Sequence, residues 1–229
     1  MLTVCCTLMT FWPASANGQQ TQQVRDAMHR AVQFFREQAS CEGGYIYQWS
    51  EDLTKREGEG KVSETVAWIE PPGTPAVGMA YLEAYRRCGD PVLLAAARES
   101  AGALVRGQLE SGGWDNRIEF DPALRPKYAY RVDETEIAPT KNRKRLNVTT
   151  FDDNKSQSAL TLLMELDREL GFNDAVIHDA VFYALDRFLQ AQFANGAWPQ
   201  RYGMQLRDEP PVADADSSLA ASIPSQWSR

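Results

Sequence analysis

One pattern constrains the fold of this chain more than any other: a helix-ending turn that recurs. Val105-x-x-Gln108-x-x-x-Gly112-Gly113-Trp114 and Leu189-x-x-Gln192-x-x-x-Gly196-Ala197-Trp198 share the spacing of an apolar residue, a glutamine, a glycine and a tryptophan. A looser copy joins Phe35-x-x-Gln38 to Gly43-Gly44-Tyr45. The three aromatic positions lie 69 and 84 residues apart, room for one helical hairpin with its loops each time. Hairpins that each close on such a turn predict an all-α fold of the α/α toroid kind. Inner and outer helices alternate around an axis, and the loops at one end form a cleft. The glycines let the backbone turn sharply with positive φ, and the ring covers the helix end. For the glutamines and tryptophans themselves, the spacing predicts packing rather than chemistry.

Between these turns, apolar residues recur every three or four positions. Val24, Met28, Ala31, Val32 and Phe35 predict a helix over 22–38, and a second spans 76–87. A third starts at Pro91, tolerated in a first turn, and runs through Leu93, Ala97, Ala101 and Leu104 to about Leu109. A fourth covers 156–170 and closes on Gly171. The clearest spans 174–193, where apolar pairs such as Ala180/Val181 and Ala184/Leu185 lie four apart. No stretch alternates with period two, so no sheet of consequence is expected. Five helices make an arc, an incomplete α/α toroid of helical hairpins. Residues 50–74 and 118–149 form long polar loops of the kind that carry function or move. From 205 to 229 there is no periodicity.

Six Trp, eight Tyr and nine Phe in 229 residues exclude a disordered chain. A net charge of −7 argues against general nucleic-acid binding, and any polyanionic ligand needs a local basic patch. Residues 1–16 lack charge and end in Ala14-Ser15-Ala16, which reads as a secretory signal; a buried N-terminal strand is the alternative. The expected mature chain, 17–229, is a single domain, secreted or periplasmic, with no run able to span a membrane. Cys41 and Cys88 would remain, and both a disulfide and two free thiols stay open.

The densest polar segment runs from Lys141 to Asn154. Arg143, Lys144 and Arg145 belong to four basic residues within five positions. Such a run is either a solvated loop or a patch that draws an acidic ligand to a cleft, and Arg201 could add to it. Asp152 and Asp153 either cap the helix that follows, with Asn154, or hold a hard cation such as calcium through oxygen ligands. No EF-hand spacing is present, so a calcium site would be assembled from distant segments. His29 and His178 have no ligand-spaced partners and read as core or surface histidines.

At these residues the chain resembles the pectic acid lyases of polysaccharide lyase family 10. Thr150-Phe151-Asp152-Asp153-Asn154-Lys155-Ser156 looks like that family's Thr-Ile-Asp-Asn-Gly-Ala-Thr helix start, and Gly196-Ala197-Trp198-Pro199-Gln200 like its Gly-Gly-Trp-Pro-Gln turn. In the preferred register Asp152 is the family's Asp, with Asp153 in place of its Asn. The resemblance implies an α/α toroid that cleaves polygalacturonate by calcium-dependent β-elimination. It assigns Asp152 and Asp153 to catalysis and the metal, and Asn154, Trp198, Gln200 and Arg201 to substrate beside the basic run. The family's later motifs, an Arg-bearing segment that supplies the base and a Thr-Phe-Asn-Asp type motif, have no counterpart before Arg229. The expectation is therefore an incomplete lyase domain with slow turnover.

Two rivals follow from the same residues. One is a non-catalytic module that binds acidic polysaccharide through the same cleft. The other is a different α/α-toroid enzyme, such as a terpenoid-cyclase relative, suggested only by the repeated Gln and Trp.

Overall fold

Five helices carry the fold, at the positions that the periodicity predicts. The computed structural model describes residues 14–133 and 145–203. Helix α1 (Ala14–Phe34) continues into a π-helical turn, Phe35–Ala39. It is followed by α2 (Thr74–Cys88), α3 (Pro91–Gly107), α4 (Lys155–Glu169) and α5 (Ala175–Ala191). The cut expected after Ala16 falls in the first turn of α1, and residues 1–13 lie outside the described residues.

Helix α3 packs most extensively on α2 and also touches α1, α4 and α5, while α4 packs on both α2 and α5. That central place explains the composition of α3: Leu93, Ala97, Ala101, Ala103 and Leu104 are at most 2% exposed, and its many alanines let neighbours approach from several directions. One contiguous core runs from Val32 and Tyr45 through Leu104 and Trp114 to Leu163 and Val181. The architecture of the described residues is thus all-α, with strands of only two or three residues.

The repeated turn is built the same way at Trp114 and Trp198. Gln108 Nε2 donates to the Gly112 carbonyl at 3.0 Å, and Gln192 Nε2 to that of Gly196 at 2.8 Å. Each indole N–H donates, at 2.8 Å, to a carbonyl ten residues earlier, of Leu104 or Phe188. Gly112 and Gly196 have φ of 103° and 84°, which side chains resist. Gln38, in the looser copy, is exposed. The expected packing role of Gln and Trp is what the structure shows.

A second repeat, in the loops, joins each turn to the next hairpin. Thr74 Oγ1 accepts from Tyr45 N at 2.9 Å and donates to Tyr45 O at 3.2 Å. Ser156 Oγ accepts from Trp114 N at 3.0 Å and donates to Trp114 O at 2.9 Å. One hydroxyl in the first residues of α2 or α4 therefore satisfies both backbone groups of the preceding aromatic. The fit is tight: a Cβ at Gly113 would lie 2.7 Å from Ser156 Oγ.

Short antiparallel ribbons accompany these joints. Strand β1 (Gln48–Trp49) pairs with β2 (Arg56–Glu57), β3 (Val66–Trp68) with β4 (Arg117–Glu119), and β5 (Thr149–Thr150) with β6 (Arg201–Tyr202). The long polar loops thus hold local pairing too brief to show as alternation.

The histidines serve the frame, as expected. His178 Nδ1 lies 2.8 Å from Asp167, which is wholly buried. His29 Nε2 lies 2.8 Å from Asp90, whose other oxygen caps α3 by accepting from Val92 N. Cys41 and Cys88 are both free thiols.

Two outcomes follow. Ser156→Ala should cost about 2 kcal/mol in urea unfolding, because it strips partners from two buried groups of Trp114. The His29 contact, then the Val92 N–H, hold the Asp90 carboxyl below the ordinary carboxylate pKa. A carboxyl depressed in this way stabilises the fold above its unfolded value of about 3.9, and the contribution is lost as pH falls through the lower folded value. His29→Ala should therefore raise the acid-unfolding midpoint without altering the alkaline limb, as circular dichroism against pH would report.

Candidate functional site

The ribbons β3–β4 and β5–β6 place equivalent residues of two successive hairpins beside each other. Trp68 pairs with Arg117, and Thr150 with Arg201. One residue on, Ile69 N donates to Asn116 O and Phe151 N to Gln200 O, both at 2.9 Å. Glu70, Asn116 and Arg117 in the first hairpin thus answer to Asp152, Gln200 and Arg201 in the second. The reading of the sequence above names the second set and misses the first. A signal for it exists: Glu70 stands four residues before Thr74 as Asp152 does before Ser156, and Trp114-Asp115-Asn116-Arg117 runs parallel to Trp198-Pro199-Gln200-Arg201.

At the second set, Gln200 Nε2 donates to Asp152 Oδ2 at 2.5 Å. Asp152 is half-buried, and its Oδ1 has no hydrogen-bond partner among the described residues. Beside it, Thr150 Oγ1 donates to Asp115 Oδ1 at 2.6 Å, and the Arg201 guanidinium lies 3.6 Å from Asp115 Oδ2 while remaining 56% exposed. Arg117 sits over the Trp68 ring, 5.3 Å from its centroid. The surface where these ribbons meet, the mouth of the site, therefore carries the Asp115 and Asp152 carboxylates and the Arg117 and Arg201 guanidiniums.

The turn into α4 is strained. Asp152, Asp153 and Asn154 form a 3-10 turn in which Asp153 and Asn154 have φ of 51° and 58°. No side chain of this turn caps α4, so the capping expectation is corrected: Asn154 occupies the cap position in a left-handed conformation that keeps its amide from the helix amides. Asn154 stands where the resembled motif has Gly, and asparagine tolerates this conformation better than most residues. Asp152 and Asp153 do not converge on one point. Asp153 Oδ2 instead lies 2.9 Å from Lys155 Nζ, which also lies 3.1 Å from Glu70 Oε2. Oxygens of Glu59, Glu70 and Asp153 come within 4.8 Å of one another. Burial by itself would lower the pKa of the Lys155 ammonium, but the Asp153 and Glu70 carboxylates outweigh it and hold the pKa above the usual lysine value.

The basic run is only partly within the described residues: Arg143 and Lys144 lie outside them. Arg145 donates to the Tyr128 carbonyl at 3.0 Å and pairs with Glu110 at 3.1 Å, so it tethers its own loop. Trp198 holds its turn through the indole N–H while its ring is 43% exposed.

The described residues form an all-α frame that carries acids and guanidiniums where its ribbons meet, and the match to a family model narrows it. Residues 108–220, which contain both tryptophan turns and Asp152, match the family model described as pectic acid lyase. Over that segment the chain is similar to the pectic acid lyases. No curated protein matches it. Among solved structures it is similar to a family 10 polysaccharide lyase from Cellvibrio cellulosa, at 20% identity and a TM-score of 0.49, covering 76% of this chain and 51% of that one. An Asp-to-Ala mutant of the Cellvibrio cellulosa family 10 enzyme, in complex with trigalacturonic acid, matches with the same values. The chain spans about half the length of the solved structures it matches.

The strained turn makes a direct prediction. Asn154→Gly should leave stability unchanged or raise it, whereas Asn154→Leu should cost about 1–2 kcal/mol, since a Cβ-bearing apolar residue gains nothing in the left-handed region. Thermal unfolding of the two variants would show the split.

Proposed function

We propose that this mouth binds an acidic polysaccharide of the polygalacturonate type and that the chain takes part in its calcium-dependent cleavage by β-elimination. The observation that carries the reading is Asp152, held by Gln200 with one oxygen unengaged, inside the segment that matches the pectic acid lyase model. The donor type suits calcium: a carboxylate oxygen is a hard ligand, and substrate oxygens would complete the shell. Asp152 would hold the ion, and Gln200 fixes its carboxylate in place.

In β-elimination a base takes the proton α to a uronate carboxylate, negative charge builds on that carboxylate as the proton leaves, and the electron pair then forms the C=C bond as the leaving oxygen departs. Calcium, when bound, supplies positive charge against that build-up. Arg201, exposed and only loosely paired with Asp115, can turn to a substrate carboxylate, and Arg117 offers a second guanidinium one hairpin away. Chemistry on an extended acidic polymer fits a chain acting outside the cytoplasm, secreted or periplasmic. Among the described residues no helix is long and apolar enough to cross a membrane.

The same mouth supports a second reading, binding without cleavage, because the cation-holding and guanidinium groups are binding groups first. The terpenoid-cyclase alternative loses its basis, since the repeated Gln and Trp hydrogen-bond their own turns.

Asp152→Ala should weaken calcium-dependent binding of trigalacturonate by about tenfold or more, through loss of an anionic oxygen from a small ligand set. Calorimetry with and without chelator measures this, and equal affinities in both proteins would refute a site at Asp152. Absorbance of the unsaturated product, measured alongside, separates cleavage from binding alone.

A further inference from the structure

Lys155 is out of place by every local rule. Its side chain is 4% exposed, although lysine is almost never buried unless paired. It is also the first residue of α4, where the helix dipole disfavours a cation. What surrounds it accounts for both facts. Three carboxylates, Glu59, Glu70 and Asp153, bring oxygens within 4.8 Å of one another, a spacing at which like charges repel and at which a cation could be held. The ammonium lies against two of them, at 2.9 and 3.1 Å. Glu70 comes from the loop before α2 and Asp153 from the turn before α4, so the contact ties two hairpins together.

We propose that the Lys155 ammonium is a resident cation, taking the place that a divalent ion would otherwise fill among Glu59, Glu70 and Asp153. It is a positioning residue. It keeps the left-handed Asp153-Asn154 turn in shape with no metal bound, and it occupies Asp153 so that Asp152 is the carboxylate of that turn left open to a ligand. The inference goes beyond the lyase reading, because it holds whatever ligand the mouth takes.

The test is a terbium titration of the whole chain, read by luminescence sensitised from nearby aromatics. Tyr47, whose phenol is held above the usual tyrosine pKa by burial and then by Glu70, and Trp68, with ring centroids 5.6 Å apart, provide the antenna. Lys155→Met removes the charge at similar length. Terbium affinity should rise about tenfold or more, calcium should compete, and the gain should vanish in the Glu70→Gln, Lys155→Met double variant. Lys155→Arg, which keeps the charge, should bind terbium as the wild type does. A folded Lys155→Met chain with wild-type terbium affinity would overturn the proposal. So would a fall in terbium luminescence on Glu70→Gln alone, because it would mean that a metal already sits there. Should Lys155→Met not fold, millimolar calcium decides: restored folding supports the proposal, and a chain that stays unfolded overturns it.

Discussion

Everything at the mouth of the site depends on one small interaction, a hydroxyl that satisfies both backbone groups of an aromatic residue in the preceding turn. Ser156 does this for Trp114 and Thr74 for Tyr45. A buried peptide N–H and C=O left without partners would cost more than most single contacts return. The hydroxyl must therefore sit within a few tenths of an ångström of one position, and the starts of α2 and α4 are fixed against the turns that follow α1 and α3. Strand pairing follows from that contact, because the residues flanking the two ends are brought alongside.

The consequence for the site is that two hairpins present the same chemistry in the same places. Glu70 and Asp152 occupy equivalent positions, as do Arg117 and Arg201, yet their environments differ. Asp152 receives Gln200, while Glu70 faces Lys155. A single substitution of type, a lysine at the entry to α4, separates an acid committed to an internal ion pair from an acid that keeps an oxygen free. Adjacent backbone strain at Asp153 and Asn154 is tolerable only because surrounding contacts over-determine the turn: the Lys155 pair, the Gln157 amide on the Phe151 carbonyl, and the Ser156 clamp.

Much of the fold was legible in the chain. Helical periods of three and four are local, and so are the glycines that demand positive φ, so the five helices and the turn at Trp198 could be placed from spacing. Asp152, Gln200 and Arg201 were legible as candidates through the resemblance of their motifs. The equivalence of Glu70 and Arg117 to them was present as an offset but hidden, because a two-residue strand leaves no alternation to detect. Arg145 was legible only as a charge, and its engagement with Glu110 and the Tyr128 carbonyl depends on a loop fold that no local rule encodes.

The sequence by itself determined the all-α class, the five helices of the described residues and the repeated turn, since each rests on interactions between residues a few positions apart. Only the tertiary structure decided what the charged residues do. Asp152 and Asp153 are neighbours in the chain yet turn to different partners, and Lys155 finds Glu70 from 85 positions away. The strength of an ionic or hydrogen-bonding group depends on which opposite group lies within about 3 Å and how much water is excluded. Both are properties of packed hairpins and not of any segment alone.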